Sequence, residues 1–286
     1  SSTLPLHVLA RFDAARLRIL VTVATALHQW AVATALDQNG YSLMNNLPTS
    51  GAEAPTTFAG RFRSEELHAY ALALKVQAMA FYLPPREPFL TNLCVEALLA
   101  DWPLAPDAPD VAAGLHLLRT TLCEKNAVQA LLPALRAEYT ALFIGLERVA
   151  APPWESVYLS RDHLLFDEQT LQVRDAYAAF GLQIPHIDRE PDDHIGFELL
   201  FLSHLMQQAA HALESDNYAE AERCLVAAHD FLHAHPLQWV KLFVERIERH
   251  AHTDYYRGMA LLLTGVLTAL ATMTRPGLRV DPTPQV

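Results

Sequence analysis

Apolar residues recur at helical rather than strand spacing along most of this chain. Leu67, Tyr70, Ala71, Leu74, Ala78 and Phe81 fall at i, i+3, i+4, i+7, i+11 and i+14, which lays an apolar stripe along one helix. Ser64 reads as its N-cap, with Glu65 and Glu66 in the first turn where negative charge complements the helix dipole, and Pro84 and Pro85 stop it. Tyr139, Leu142, Phe143 and Leu146 mark a second apolar face that Gly145 helps to end. Asp167 reads as the cap of a helix carrying Val173, Tyr177 and Phe180, closed by Gly181. Asn217 with Glu220 forms a capping-box pattern, and Pro236 opens a helix through Trp239, Phe243 and Ile247. Thr253 reads as the cap of a last helix with Tyr255, Met259, Leu262, Leu263, Val266, Leu267 and Leu270 on one face. No stretch alternates apolar and polar residues for long, so the body is expected to be all-α.

One segment has almost no polar side. Ile195, Phe197, Leu199, Leu200, Phe201, Leu202, Leu205 and Met206 predict a helix in the middle of a bundle. The acidic stretch before it sits at its N-terminus, where Asp192 or Asp193 is expected to cap the free N–H groups.

The pattern also divides the chain. Residues 37–63 are rich in Asn, Gly, Pro, Ser and Thr and read as a linker or long loop. Before it, residues 1–36 read as a helical extension packed on the body. Arg11, Arg16 and Arg18 ahead of the run ILVTVATAL leave a membrane anchor or export signal as the alternative, although Thr22, Thr25, His28 and Gln29 interrupt that run. Residues 64–273 form a single helical domain, and 274–286 read as a flexible tail.

Composition narrows the function classes. The net charge of -11, with 21 Lys and Arg, argues against nucleic acid, because a polyanion needs a dense basic face. Cys94, Cys123 and Cys224 are odd in number and far apart, so neither a disulfide framework nor a zinc ribbon is expected, and a reducing cytoplasm suits them.

Two compact stretches stand out from the helix formers: PPWESVY at 152–158 and EPDDHIG at 190–196. Together with EYTALFIG at 138–145, Trp239-x-x-x-Phe243 and HTDYYRGMALL at 252–262, their order and spacing resemble the cytoplasmic chaperone family for molybdenum oxidoreductases, with its DmsD-like and TorD-like branches. The resemblance spans 64–273. It implies a helical, non-catalytic protein in two halves joined by a hinge loop near Pro185 to Pro191, which binds the twin-arginine leader of a cofactor-containing reductase subunit until cofactor insertion. Opening of that hinge would allow a homodimer by exchange of halves as a further state, and no membrane association is expected. The positions matching the family's motifs are Phe143, Gly145, Pro153, Trp154, Ser156, Tyr158, Pro191, Asp193 and His194. Glu155, where a Gly is usual, and Tyr158, where a Trp can stand, depart from the DmsD-like pattern and bear on the client.

The chemistry of such a site can be argued from the residues. Two guanidiniums beside an apolar stretch call for carboxylates and an aromatic groove. Glu190, Asp192 and Asp193 can supply the first; Trp154, Tyr158 and Phe143, with Tyr139 on the same segment, can supply the second. The competing structural roles are helix caps for the two aspartates, a core lid for Trp154, and a hydrogen-bonded first-turn residue for His194.

Enzyme readings fare worse. His229 and His233 have metal-ligand spacing, and His229-Asp230 faintly resembles the metal-dependent HD phosphohydrolases, but no ordered His/Asp set accompanies them. A Ser156/His194/Asp193 triad has no GxSxG elbow, and no Walker loop or GxGxxG is present. No catalytic residue, metal or cofactor is expected. A NarJ-like chaperone for a non-exported respiratory subunit is the alternative within the same class.

Overall fold

A computed structural model describes residues 58–95, 98–124, 126–145, 149–160, 168–184 and 190–275. The expected extension over 1–36, the linker as far as residue 57, the cap Asp167, the segment 185–189 and the tail beyond 275 lie outside the described residues. Among those described, ten α-helices follow one another without a strand: α1 (Ser64–Tyr82), α2 (Glu87–Val95), α3 (Pro109–Leu122), α4 (Ala127–Tyr139), α5 (Glu155–Leu159), α6 (Glu168–Ala178), α7 (Ile195–Glu214), α8 (Tyr218–Ala234), α9 (Pro236–His250) and α10 (Asp254–Thr274). A 3-10 turn at Ala59–Arg61 precedes them, and α4 runs on into a π turn, Thr140–Ile144, that Gly145 ends at φ 62°. The protein is all-α, as the periodicity predicts.

The centre of the bundle is α7. Fourteen of its residues are buried, and it lies between α1 and α8. The pair α1 and α7 runs antiparallel, with His68 near the start of α1 at 3.0 Å from Glu214 at the end of α7, and Tyr82 at the end of α1 against His194 and Gly196 at the start of α7. Between them Ser203 Oγ donates to the Ala71 carbonyl at 2.8 Å and Lys75 Nζ to Gln207 Oε1 at 3.0 Å. The six predicted stripe residues of α1 are all buried, but so are Leu72, Ala73, Val76 and Ala80 between them. Helix α1 is therefore a core helix closed on most sides by α7 and α10, which a stripe alone did not anticipate.

Three predicted caps need correction. Arg63, with extended backbone, is the N-cap of α1, and Ser64 is already helical. Thr253 is the N-cap of α10, but its side chain does not cap its own helix. Instead Glu138, from α4, accepts the His252 and Thr253 N–H groups and the Thr253 hydroxyl. A carboxylate from another element thus neutralises the positive end of α10. His194 caps α7 in place of either aspartate, for a reason given below. Asn217 behaves as predicted, its Oδ1 accepting the Glu220 N–H at 3.2 Å, and Pro236 is the first residue of α9.

The cysteine reading is also corrected. Cys94 in α2 and Cys123 after α3 are joined by a disulfide, with Cα atoms 5.3 Å apart. Their 29-residue separation is spanned by chain folding that spacing alone does not encode. Cys224 is free and buried.

Helix α10 is long and apolar enough by length and composition to cross a membrane. Here it packs against α3, α9, α8 and α1, with Tyr255, Tyr256, Met259, Leu262, Leu263, Val266, Leu267 and Leu270 buried. Its approach to α3 depends on missing side chains. A Cβ on Gly114 would stand 2.7 Å from the Gly258 carbonyl oxygen, and one on Gly265 would stand 2.3 Å from Val111 Cγ2. Gly114→Val should force the two helices apart, lowering stability by about 1–3 kcal/mol and Tm by on the order of 5 °C in a thermal melt. An unchanged melt would mean that the helices separate there without cost.

Candidate functional site

The two unusual stretches meet. Trp154 and His194 form an isolated antiparallel bridge, with the Glu155 N–H donating to the Asp193 carbonyl at 3.0 Å and the Ile195 N–H donating to the Pro153 carbonyl at 2.8 Å. This bridge lays PPWESVY and EPDDHIG side by side at the start of two helices, α5 and α7. Gly196 permits the close fit on the far side, since a Cβ there would stand 2.6 Å from Tyr82 Cβ.

The acidic residues are committed inside the fold. Asp193 is fully buried; its Oδ2 accepts the Ser156 N–H at 2.7 Å and its Oδ1 accepts the Thr170 hydroxyl at 2.9 Å. Asp193 is a helix cap, but of α5 rather than of α7. The reason is register: His194 stands at the extended position immediately before α7, and its Nδ1 accepts the Gly196 N–H at 2.9 Å. The bridge turns Asp193, one residue earlier, toward the neighbouring helix. Asp192 is also fully buried, and the Arg174 guanidinium holds its Oδ2 at 2.8 Å. Burial raises the Asp192 pKa and Arg174 opposes that shift.

Beneath them lies a second carboxylate pair. Glu155 faces His235 Nδ1 at 2.9 Å, and Glu198 accepts the Trp239 indole N–H at 3.3 Å. Burial, reinforced by Glu155 and Asp193, pushes the Glu198 pKa well up, which disfavours its charged form.

The aromatic residues divide by depth. Phe143 is 1% exposed and sits among Phe81, Phe243, Tyr256 and Tyr139, while Tyr139 is buried and donates its hydroxyl to the Tyr82 carbonyl at 2.7 Å. Pro153, Ser156 and Pro191 are buried too. Half-buried Trp154 stacks edge-on against His194, which in turn meets Tyr82. Half-buried Tyr158 lies on Trp239 and under the Arg246 guanidinium. Glu190, also half-buried, accepts the Tyr82 hydroxyl at 3.1 Å. Among the described residues, the buried Trp154 indole N–H and Tyr158 hydroxyl have no hydrogen-bond partner. Of the twelve residues singled out in the sequence, Trp154, Tyr158, Glu190 and Gly145 thus retain partial exposure, and the others build the support.

Sequence reasoning missed Tyr82, Thr170, Arg174, Glu198, His235 and Trp239 as partners of the site. Tyr82, as the last residue of α1, was findable from its place beside the Pro84-Pro85 stop. Thr170, Arg174 and His235 come from other helices and gave no local signal, Glu198 lies four residues after His194 in α7, and Trp239 was marked only as part of the motif set. The triad reading finds no support, since Asp193 holds the Ser156 backbone and His194 Nδ1 is taken by Gly196. His229 and His233 stack with ring centroids 4.4 Å apart, and among the described residues no third ligand joins them. A cleft of about 680 Å³ lined by Phe62, Tyr70, Ala108, Gly265 and Met273 lies at the opposite end of α1.

Two stability predictions follow from this geometry. Asp193→Ala leaves the Ser156 N–H and the Thr170 hydroxyl without their acceptor and should cost about 2–4 kcal/mol in urea unfolding; a loss below about 0.5 kcal/mol would show that the carboxylate does not join the helices. Burial drives the His194 pKa down to about 3, while in the unfolded chain it returns to about 6.5. The unfolded state therefore takes up a proton that the native state refuses. The stability contributed is present above pH 6.5 and lost as pH falls toward 3, at up to about 1.4 kcal/mol per pH unit. His194→Asn, which keeps a capping side chain, should flatten the decline in stability between pH 7 and pH 5; a slope equal to wild type would assign that decline to other groups.

Comparison with known proteins agrees with the arrangement. The family described as nitrate reductase delta subunit matches residues 105–245. The chain is 31% identical over 198 residues to the Tat proofreading chaperone DmsD of Salmonella typhimurium, covering 68% of this chain and 84% of that protein. It is 27% identical over 186 residues to a DmsD of Haemophilus influenzae, covering 64% and 80%. The chaperone protein TorD of Vibrio cholerae is 32% identical over 128 residues, covering 45% of this chain and 56% of TorD. The two bridged motifs fall within residues 105–245, these relatives are chaperones rather than enzymes, and the chain belongs to the DmsD family of Tat proofreading chaperones.

Proposed function

We propose that this protein binds the twin-arginine leader of a molybdenum-containing oxidoreductase subunit in the cytoplasm and holds that subunit back from export until its cofactor is in place. The names of its relatives support the chaperone role. The observation that carries the assignment of the site is the bridge between the two motifs, which leaves Trp154, Tyr158 and Glu190 half-buried at its edge.

Each group has a role that its chemistry allows. The half-buried Trp154 and Tyr158 rings offer apolar faces to the leader. The Glu190 carboxylate offers a charged acceptor for a guanidinium, which Trp154 can also stack upon. Asp192, Asp193, His194, Ser156, Pro153, Pro191, Phe143, Tyr139 and Gly145 hold those groups in position. In a reducing cytoplasm Cys94 and Cys123 would stand as thiols.

Isothermal titration with a twin-arginine leader, and with the same peptide carrying two lysines, tests the reading. The arginine peptide should bind and the lysine peptide should bind much more weakly, because an ammonium cannot reproduce the planar fork. Trp154→Ala should raise Kd at least about tenfold, with helical content retained. Equal binding of both peptides would exclude arginine recognition at this site. No heat with any leader would favour assembly of a non-exported subunit, the reading suggested by the match to the nitrate reductase delta family.

A further inference from the structure

A second cluster of chemistry lies away from the bridged motifs, where the start of α1 meets the end of α7. His68 in the second turn of α1 faces His211 and Glu214 in the last turn of α7. His211 and Glu214 stand at i and i+3 and so share one face of their helix. His68 Nε2 and Glu214 Oε1 are 3.0 Å apart, and the His68 and His211 rings meet at 5.4 Å. One ligand atom from each of the three residues lies within 4.8 Å of the others.

We propose that His68, His211 and Glu214 form a site for a divalent transition-metal ion of the zinc type, which fastens the beginning of α1 to the end of α7. Two imidazoles and one carboxylate match the ligand preference of Zn²⁺ rather than of Mg²⁺ or Ca²⁺. Bonds of about 2.0–2.2 Å to such an ion need the three atoms to move closer by small side-chain rotations. The fourth position would be held by water. The His68 and Glu214 side chains are 11% and 19% exposed, so the ion would sit at the protein surface in a partly sheltered notch. Ligation needs neutral rings, and burial together with His68 holds the His211 pKa below the ordinary imidazole value. The ion would take the place of the hydrogen bond between His68 and Glu214, with the neutral His68 ring ligating through Nε2 as the tautomer that carries its proton on Nδ1. One layer deeper, Lys75 is engaged with Gln207 and does not compete for the carboxylate.

The site has a mechanical consequence. The pair α1 and α7 frames the bundle, and its opposite end carries Tyr82, His194 and Gly196 of the bridged motifs. A metal clamp at the near end would stabilise the pair without touching the peptide site.

The test uses the full chain without an affinity tag. Titration with Co²⁺ reads visible absorption, in which intense bands report four-coordination, and Zn²⁺ is then added in competition. Wild type should bind one Co²⁺ that Zn²⁺ displaces, and saturating Zn²⁺ should raise Tm by on the order of 5 °C. His211→Ala should abolish the bands, and Glu214→Gln, which keeps the shape of the side chain, should weaken binding at least about tenfold. The double variant H229A/H233A should bind as wild type does. Absence of stoichiometric binding, unaltered binding in Glu214→Gln, or loss confined to H229A/H233A would each overturn the assignment. Circular dichroism of every variant separates lost ligation from lost fold.

Discussion

The Asp193 carboxylate is the interaction on which the bridged region depends. It is fully buried, and its two oxygens accept from the backbone of α5 and from a hydroxyl of α6, while its own backbone leads into α7. A charge removed from water is tolerated only where hydrogen bonds replace its hydration. Here those bonds come from two helices while the Asp193 backbone leads into a third, so the buried carboxylate can be satisfied in one arrangement only. The bridge between Trp154 and His194 and the exposure of the Trp154 ring both follow from that arrangement.

The same logic explains why so many polar groups lie under the candidate peptide site. Asp192 is held by Arg174, Glu155 faces His235, and burial beside Glu155 pushes the Glu198 pKa well up. His194 avoids an unmatched charge by staying neutral and using Nδ1 as a helix cap. Buried networks of this kind cost more than apolar packing when incomplete, and they fix geometry when complete. The result is a polar floor beneath the half-buried Trp154 and Tyr158 rings.

Two helix pairs carry that floor. The antiparallel contact of α1 with α7 brings Tyr82 against Gly196 and sets one wall. The glycine-lined contact of α3 with α10 lets two backbones approach to a distance that side chains would forbid. Glu138 ties α4 to the start of α10, and the π turn that follows α4 leads toward the PPWESVY stretch.

The sequence by itself determined the all-α class, the positions of most helices and the importance of the two motifs. Helical periodicity and turn residues act within a few positions of one another, and local interactions are legible in a linear string. Asn217 and Pro236 were correctly read for that reason. Tertiary structure alone decided which helix each aspartate serves, that Glu138 rather than the Thr253 side chain caps α10, and that Cys94 meets Cys123. It also decided that Phe143 is core while Trp154 reaches the surface. Each of these depends on contacts between residues far apart in the chain, where the partner is chosen by packing and by the need to satisfy buried charge rather than by any neighbouring residue.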